Sequence, residues 1–109
     1  MRVLVVTETD ACCGPMAAAF LNDYSTSIEA VSVGKNPSQY IDSLVVDVMK
    51  ECLVDLDGYV PQPIGAIDLK SFDAVYECPD SLCPISLGAC RELRDYIKNE
   101  AFVFFKNHL

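Results

Sequence analysis

The sharpest pattern in this chain lies at its start, where Val3, Leu4, Val5 and Val6 form an unbroken apolar run. A mostly β-branched run of that length predicts a parallel strand buried on both faces, here over residues 2–7. The polar stretch Thr7-Glu8-Thr9-Asp10 then predicts a loop. Pro15 stands where the first turn of a helix tolerates a missing N–H, so a helix is expected over 15–23. Residues 27–33 alternate and stop at Gly34, as a second strand would. Asn36-Pro37 has the form of a helix start, Asn as cap and Pro at the first position. Ile41, Leu44, Val45, Val48, Met49 and Cys52 follow at helical spacing. Cys52 on such a stripe is expected to be core packing. Asp57-Gly58, Pro61 and Pro63 break the pattern, so residues 55–71 predict a loop with at most a short helix near 64–70. Phe72 to Glu77 reads as a third strand ending at Cys78. Beyond the polar loop Pro79-Asp80-Ser81-Leu82-Cys83-Pro84, a helix from Leu87 to about Asn107 places Cys90, Leu93, Ile97, Ala101 and Phe104 inward.

The order βαβα(loop)βα predicts an α/β fold, a three-layer, doubly wound parallel sheet with right-handed crossovers. A single domain over 1–109 is expected. Ligands of such sheets sit at the carboxyl ends of the strands. That rule places the 7–15 and 78–84 loops at one mouth. Strand, loop and helix N-terminus in that order also form an anion cradle, because the first helical N–H groups are unpaired.

Charge and composition narrow the function classes. The net charge of −8 argues against nucleic acid, which demands Lys and Arg clusters. No segment approaches the length of a membrane span. Met-Arg-Val leads straight into a strand without a signal-peptide pattern, so a cytoplasmic location is expected. In that setting the six cysteines point to redox or metal chemistry rather than a disulfide framework.

The segment from Val3 to Ala17 resembles the active-site loop of the low-molecular-weight tyrosine phosphatases and of the thioredoxin-coupled arsenate reductases that share their fold. Their pattern runs strand, Cys, five residues, Arg, then Ser-x-Met-Ala. The resemblance continues through Ala30 to Gly34, Val46 to Glu51, Val54-Asp55-Leu56, Ser71 to Val75 and Arg91 to Lys98. Cys78 and Cys83-Pro84 look like the redox cysteines of the arsenate reductases, at a closer spacing than is usual there. Aligned on Met16-Ala17, the family's nucleophilic Cys falls on Thr7 and its oxyanion-binding Arg on Cys13. No Arg lies between Arg2 and Arg91, and no Asp-Pro dipeptide follows the third strand to supply the general acid. The short connection from Cys78 to the last helix leaves room for three family-type strands rather than four.

The loop Thr7, Glu8, Thr9, Asp10, Ala11, Cys12, Cys13 and Gly14 thus has the family's outline without its chemistry. Thr7 has no evident base, the one His being His108. Thr7, Glu8 and Asp10 are most simply solvated loop residues and a helix cap. Carboxylates in such a cradle would oppose an anion at a cost of about 4 kcal/mol at 4 Å and a dielectric near 20. Phosphomonoester hydrolysis, and arsenate reduction by the family's route, are therefore not expected. Thiol chemistry remains. Cys12 and Cys13 precede a helix N-terminus, and Cys78 and Cys83 share the mouth. These four could form dithiol/disulfide couples, served by a thioredoxin-like reductant, or hold a thiophilic metal ion. Any enzyme here would be a thiol-dependent, arsenate reductase-like oxidoreductase. The alternatives are a non-catalytic module that binds a partner protein, and a residual phosphatase or arsenate reductase.

Overall fold

The structure, a computed structural model, describes residues 1–78 and 84–108. Strand β1 (Arg2–Thr7) is the centre of a parallel sheet of order β2-β1-β3, with β2 (Glu29–Gly34) on one side and β3 (Ala74–Glu77) on the other. The register pairs Leu4 with both Val31 and Val75. Three strands, with no fourth among the described residues, agree with the α/β expectation.

Side chains alternate across the sheet and so divide the core in two. Val3 and Val5 face α1 (Cys13–Tyr24), α2 (Ser43–Lys50) and α3 (Leu87–Asn107) in one large apolar cluster. Leu4, Val6 and Val33 face the other way, covered by Ile64, Ile67 and Phe72 from the stretch that carries two short 3-10 turns, Ile64–Ala66 and Leu69–Ser71. Burying side chains the size of Leu4, Met16 or Leu21 contributes about 1.5–3 kcal/mol each, which is the main force behind this layering. Val75, opposite Leu4 on β3, lies beyond that cover and stays exposed.

The last helix matches expectation: Ser86 caps it through a 3.2 Å bond from Ala89 N–H, and Cys90, Ile97 and Ala101 are buried. The second helix does not. It starts at Ser43, not at Asn36-Pro37, and its cap is Asp42, whose Oδ1 accepts from Leu44 N–H at 2.9 Å. The reason is competition for backbone donors. The N–H groups of Lys35, Asn36, Ser38 and Asp42 bond to carbonyls of the loop after β1, and the last of these is a donor that a helix begun at Pro37 would need for its own ladder. Helix α1 begins two residues earlier than expected, so Pro15 occupies the third helical position. Cys52 lies just past α2 and is only partly buried, rather than packed in the core.

An ionic clasp joins α2 to α3. Arg91 makes a bidentate contact with Glu51, and Arg94 reaches both Glu51 (2.7 Å) and the Val48 carbonyl (3.0 Å). Among the described residues, no helix is long and apolar enough to cross a membrane.

Candidate functional site

The crossover from β1 goes one way to β2 and the chain returns to β3 on the far side. The crevice at this reversal therefore opens beyond the carboxyl end of β1. The loop from Glu8 to Cys12 forms its floor. The carbonyls of Thr7, Glu8, Thr9 and Ala11 accept N–H bonds of 2.8–3.0 Å from the strap of residues 35–42. Asp10 sits mid-loop in the left-handed region (φ 53°), a conformation Asp and Asn tolerate better than most side chains.

Asp10 is the best-held side chain of the site. It is fully buried, and its carboxylate accepts from the Ser32 hydroxyl, from the Tyr59 hydroxyl at 2.6 Å and from the Gln62 N–H at 2.8 Å. Its own N–H donates to Thr7 Oγ1 at 2.9 Å. Glu8 stays exposed and takes a bond from the Asn36 amide. The expectation of solvated loop residues is thus corrected for Thr7 and Asp10, both buried. Nor is Asp10 a helix cap: Cys12 holds that position and makes no side-chain cap bond. Both carboxylates are taken up by donors on the β2 side, because three donors converge there on Asp10 and buried polar groups must be paired. Tyr59, which carries no sequence motif, is held by this contact. Burial foremost, then the Asp10 carboxylate, pushes its phenol well above the usual tyrosine range.

Two glycines let the loop close. A Cβ on Gly14 would lie 2.6 Å from Ser32 Oγ and 3.1 Å from Thr7 Oγ1, and one on Gly34 would lie 3.0 Å from the Glu8 carbonyl. Ser32, Thr7 and Asp10 thereby pack directly under the start of α1.

Cys12, Cys13, Cys78 and Cys90 are buried in the same apolar cluster. Cys13 is the first residue of α1, and Cys78 follows β3, its N–H bonded to the Val6 carbonyl at 3.0 Å. Tyr76 on β3 is half-buried, its ring edge-on to Phe104 at 5.0 Å. Its phenol is raised well above the ordinary value by burial first, then by Cys78, Glu100, Cys13 and Tyr96 in turn. Cys90 was expected to face inward and does, but its place beside the loop thiols was not foreseen. Cys83 lies outside the described residues. Among those described, no three His, Cys, Asp or Glu side chains are grouped to hold a metal ion.

Comparison with known proteins agrees with this geometry. The family described as low molecular weight phosphotyrosine protein phosphatase matches residues 2–102. Similar solved structures include an arsenate reductase in a phosphate-binding state, at 18% identity over 97% of each chain with a TM-score of 0.84. A low molecular weight protein tyrosine phosphatase from T. tengcongensis is 19% identical over 98% of this chain and 99% of its own, also at 0.84. The thioredoxin-dependent arsenate reductase of Corynebacterium glutamicum is 23% identical over 97% of this chain and 60% of its own, at 0.80. At such identities these likenesses concern the fold. A search of curated proteins found no match.

Proposed function

Given that this chain belongs to the low molecular weight phosphotyrosine protein phosphatase family, we propose that it is a member that works through thiols rather than as a phosphatase. Phosphoryl transfer in this fold requires a nucleophile, a cation for the oxyanion and an acid for the leaving group. Thr7 and Cys13 stand where the first two would be, and Thr7 Oγ1 already accepts a bond from the loop backbone. The single observation that carries the thiol reading is the burial of Cys12, Cys13 and Cys78 in one apolar cluster, with Cys13 opening α1 and Cys78 held at the end of β3 by its N–H bond to the Val6 carbonyl.

In this reading Cys13 and Cys78 form the working dithiol, with Cys12 beside them and Cys83 in the adjoining segment. Two thiols lose two protons and two electrons as the S–S bond forms. The electrons pass to the disulfide of a partner, and a thioredoxin-like dithiol restores the reduced state. A thiophilic metal ion on Cys12, Cys13, Cys78 and Cys83 is the variant of this proposal that draws on the same sulfurs. A second reading, a non-catalytic module that binds a partner protein, is favoured by Asp10, which keeps the loop's shape through donors of the protein itself.

Free-thiol counts on folded protein, before and after a mild oxidant, test the proposal, with metal content measured on protein purified without oxygen. The thiol reading expects one pair to be lost on oxidation, mapped by mass to two of these four cysteines, and the loss to vanish in Cys13→Ser or Cys78→Ser. Inert thiols together with metal-free protein would leave the binding module. Turnover of a chromogenic aryl phosphate, abolished by Thr7→Ala, would overturn both.

A further inference from the structure

Away from the thiols, a cleft of about 410 Å³ opens between residues 40–47 and 57–60. Tyr40 and Tyr59 give it two aromatic walls, Asp47 and Asp57 two carboxylates, and Ile41 and Val60 an apolar lining. Tyr40 is 74% exposed, an unusual state for so large an aromatic side chain. No lining residue is Lys or Arg. Lys50 lies 2.8 Å from the lining residue Asp57 in an exposed pair of small net worth. Between Tyr40 and Val60 the chain carries Asp42, Asp47, Glu51, Asp55 and Asp57 against Lys50 alone, in a protein of net charge −8.

We propose that this cleft docks a cationic side chain, arginine above all, from a basic segment of a partner protein. A guanidinium is attracted to aromatic faces and pairs with carboxylates in its own plane, while its aliphatic stem covers apolar surface. The exposed Tyr40, the partly buried Tyr59, flanking carboxylates and an apolar lining meet those three needs together. The negative field of the chain steers a basic partner toward it. Tyr59 connects this surface to the loop, since it is one of the cleft's lining residues while its hydroxyl donates to Asp10. The site does not depend on the cysteines, and its failure would leave the thiol reading untouched.

The test is an amide chemical-shift titration of the full chain with the peptide acetyl-Gly-Arg-Arg-Gly-amide, against the same peptide with citrulline, an uncharged isostere, for arginine. Saturable shifts clustered at Ser43, Asp47, Gly58 and Val60 are expected with arginine only, weakening as salt is added. Asp47→Asn and Tyr40→Ala, both at exposed positions, are each expected to raise Kd by about threefold or more. Equal shifts with citrulline, shifts centred elsewhere, or variants that bind as tightly as wild type would overturn the proposal. So would a concentration-dependent dimer that covers the cleft and excludes the peptide.

Discussion

The Tyr59 hydroxyl donates a 2.6 Å hydrogen bond to Asp10, closing a span of 49 residues onto one buried carboxylate. Together with Ser32 and Gln62 it makes the β1–α1 loop part of the folded framework. Asp10→Ala would leave the Ser32 and Tyr59 hydroxyls and the Gln62 N–H without that acceptor. A loss of about 2–5 kcal/mol is expected, read as a lower urea midpoint at unchanged slope. Tyr59→Phe removes one donor and should cost about 1–2 kcal/mol on the same scale.

Gly14 offers a second test of how tightly that loop is packed. A methyl group there overlaps Ser32 Oγ, so Gly14→Ala is expected to destabilise by about 1–3 kcal/mol despite the better helix propensity of alanine. Removing the offending oxygen should relieve part of the strain. The double variant Gly14→Ala/Ser32→Ala is therefore expected to lose less than the sum of the two single changes in a double-mutant cycle.

The clasp between α2 and α3 predicts an acid dependence. Arg91 first, then Arg94, hold the Glu51 carboxyl down at about 2, against an ordinary 4.5. A depressed folded value stabilises fully above the unfolded pKa and is lost as pH falls. The clasp should thus weaken between about pH 4.5 and 2. Glu51→Gln should melt below wild type at neutral pH, with the gap closing through that window. Added salt should narrow the gap at neutral pH as well, since the pair is exposed.

Tyr59 and Tyr76 predict the opposite limb. Both phenols are held neutral, mainly by burial, so unfolding releases their protons more readily than the native state does. Their contribution is complete below about pH 10, the unfolded value, and declines as pH rises above it. In an alkaline absorbance titration these two should ionise last, together with the loss of native structure.

The central strand, helix α3 and the family outline were legible from the sequence because each rests on a periodic pattern: the run Val3–Val6, the inward row Cys90, Ile97 and Ala101, and the spacing from Thr7 to Ala17. The start of α2 was not. Asn36-Pro37 has every local mark of a helix start, yet the carbonyls of a loop nearly thirty residues earlier claim its neighbourhood's N–H groups. Asp10 was misread for a related reason. An acidic residue in a polar loop looks solvated until Ser32, Tyr59 and Gln62 are brought around it by the fold, and nothing local announces those partners. Cys13 and Cys78 were expected at one mouth from topology alone, and their burial in one apolar cluster was not announced by any local pattern.

The four bonds from residues 35–42 to the loop carbonyls couple two segments that are remote in sequence. Lys35, Asn36, Ser38 and Asp42 lie outside regular helix or strand, where amide protons ordinarily exchange fast with solvent. Here their exchange can proceed only when the loop lets go. In hydrogen–deuterium exchange these four amides should slow as a group and lose protection together in Asp10→Ala. They would serve as a built-in gauge of loop opening, readable without any ligand or label.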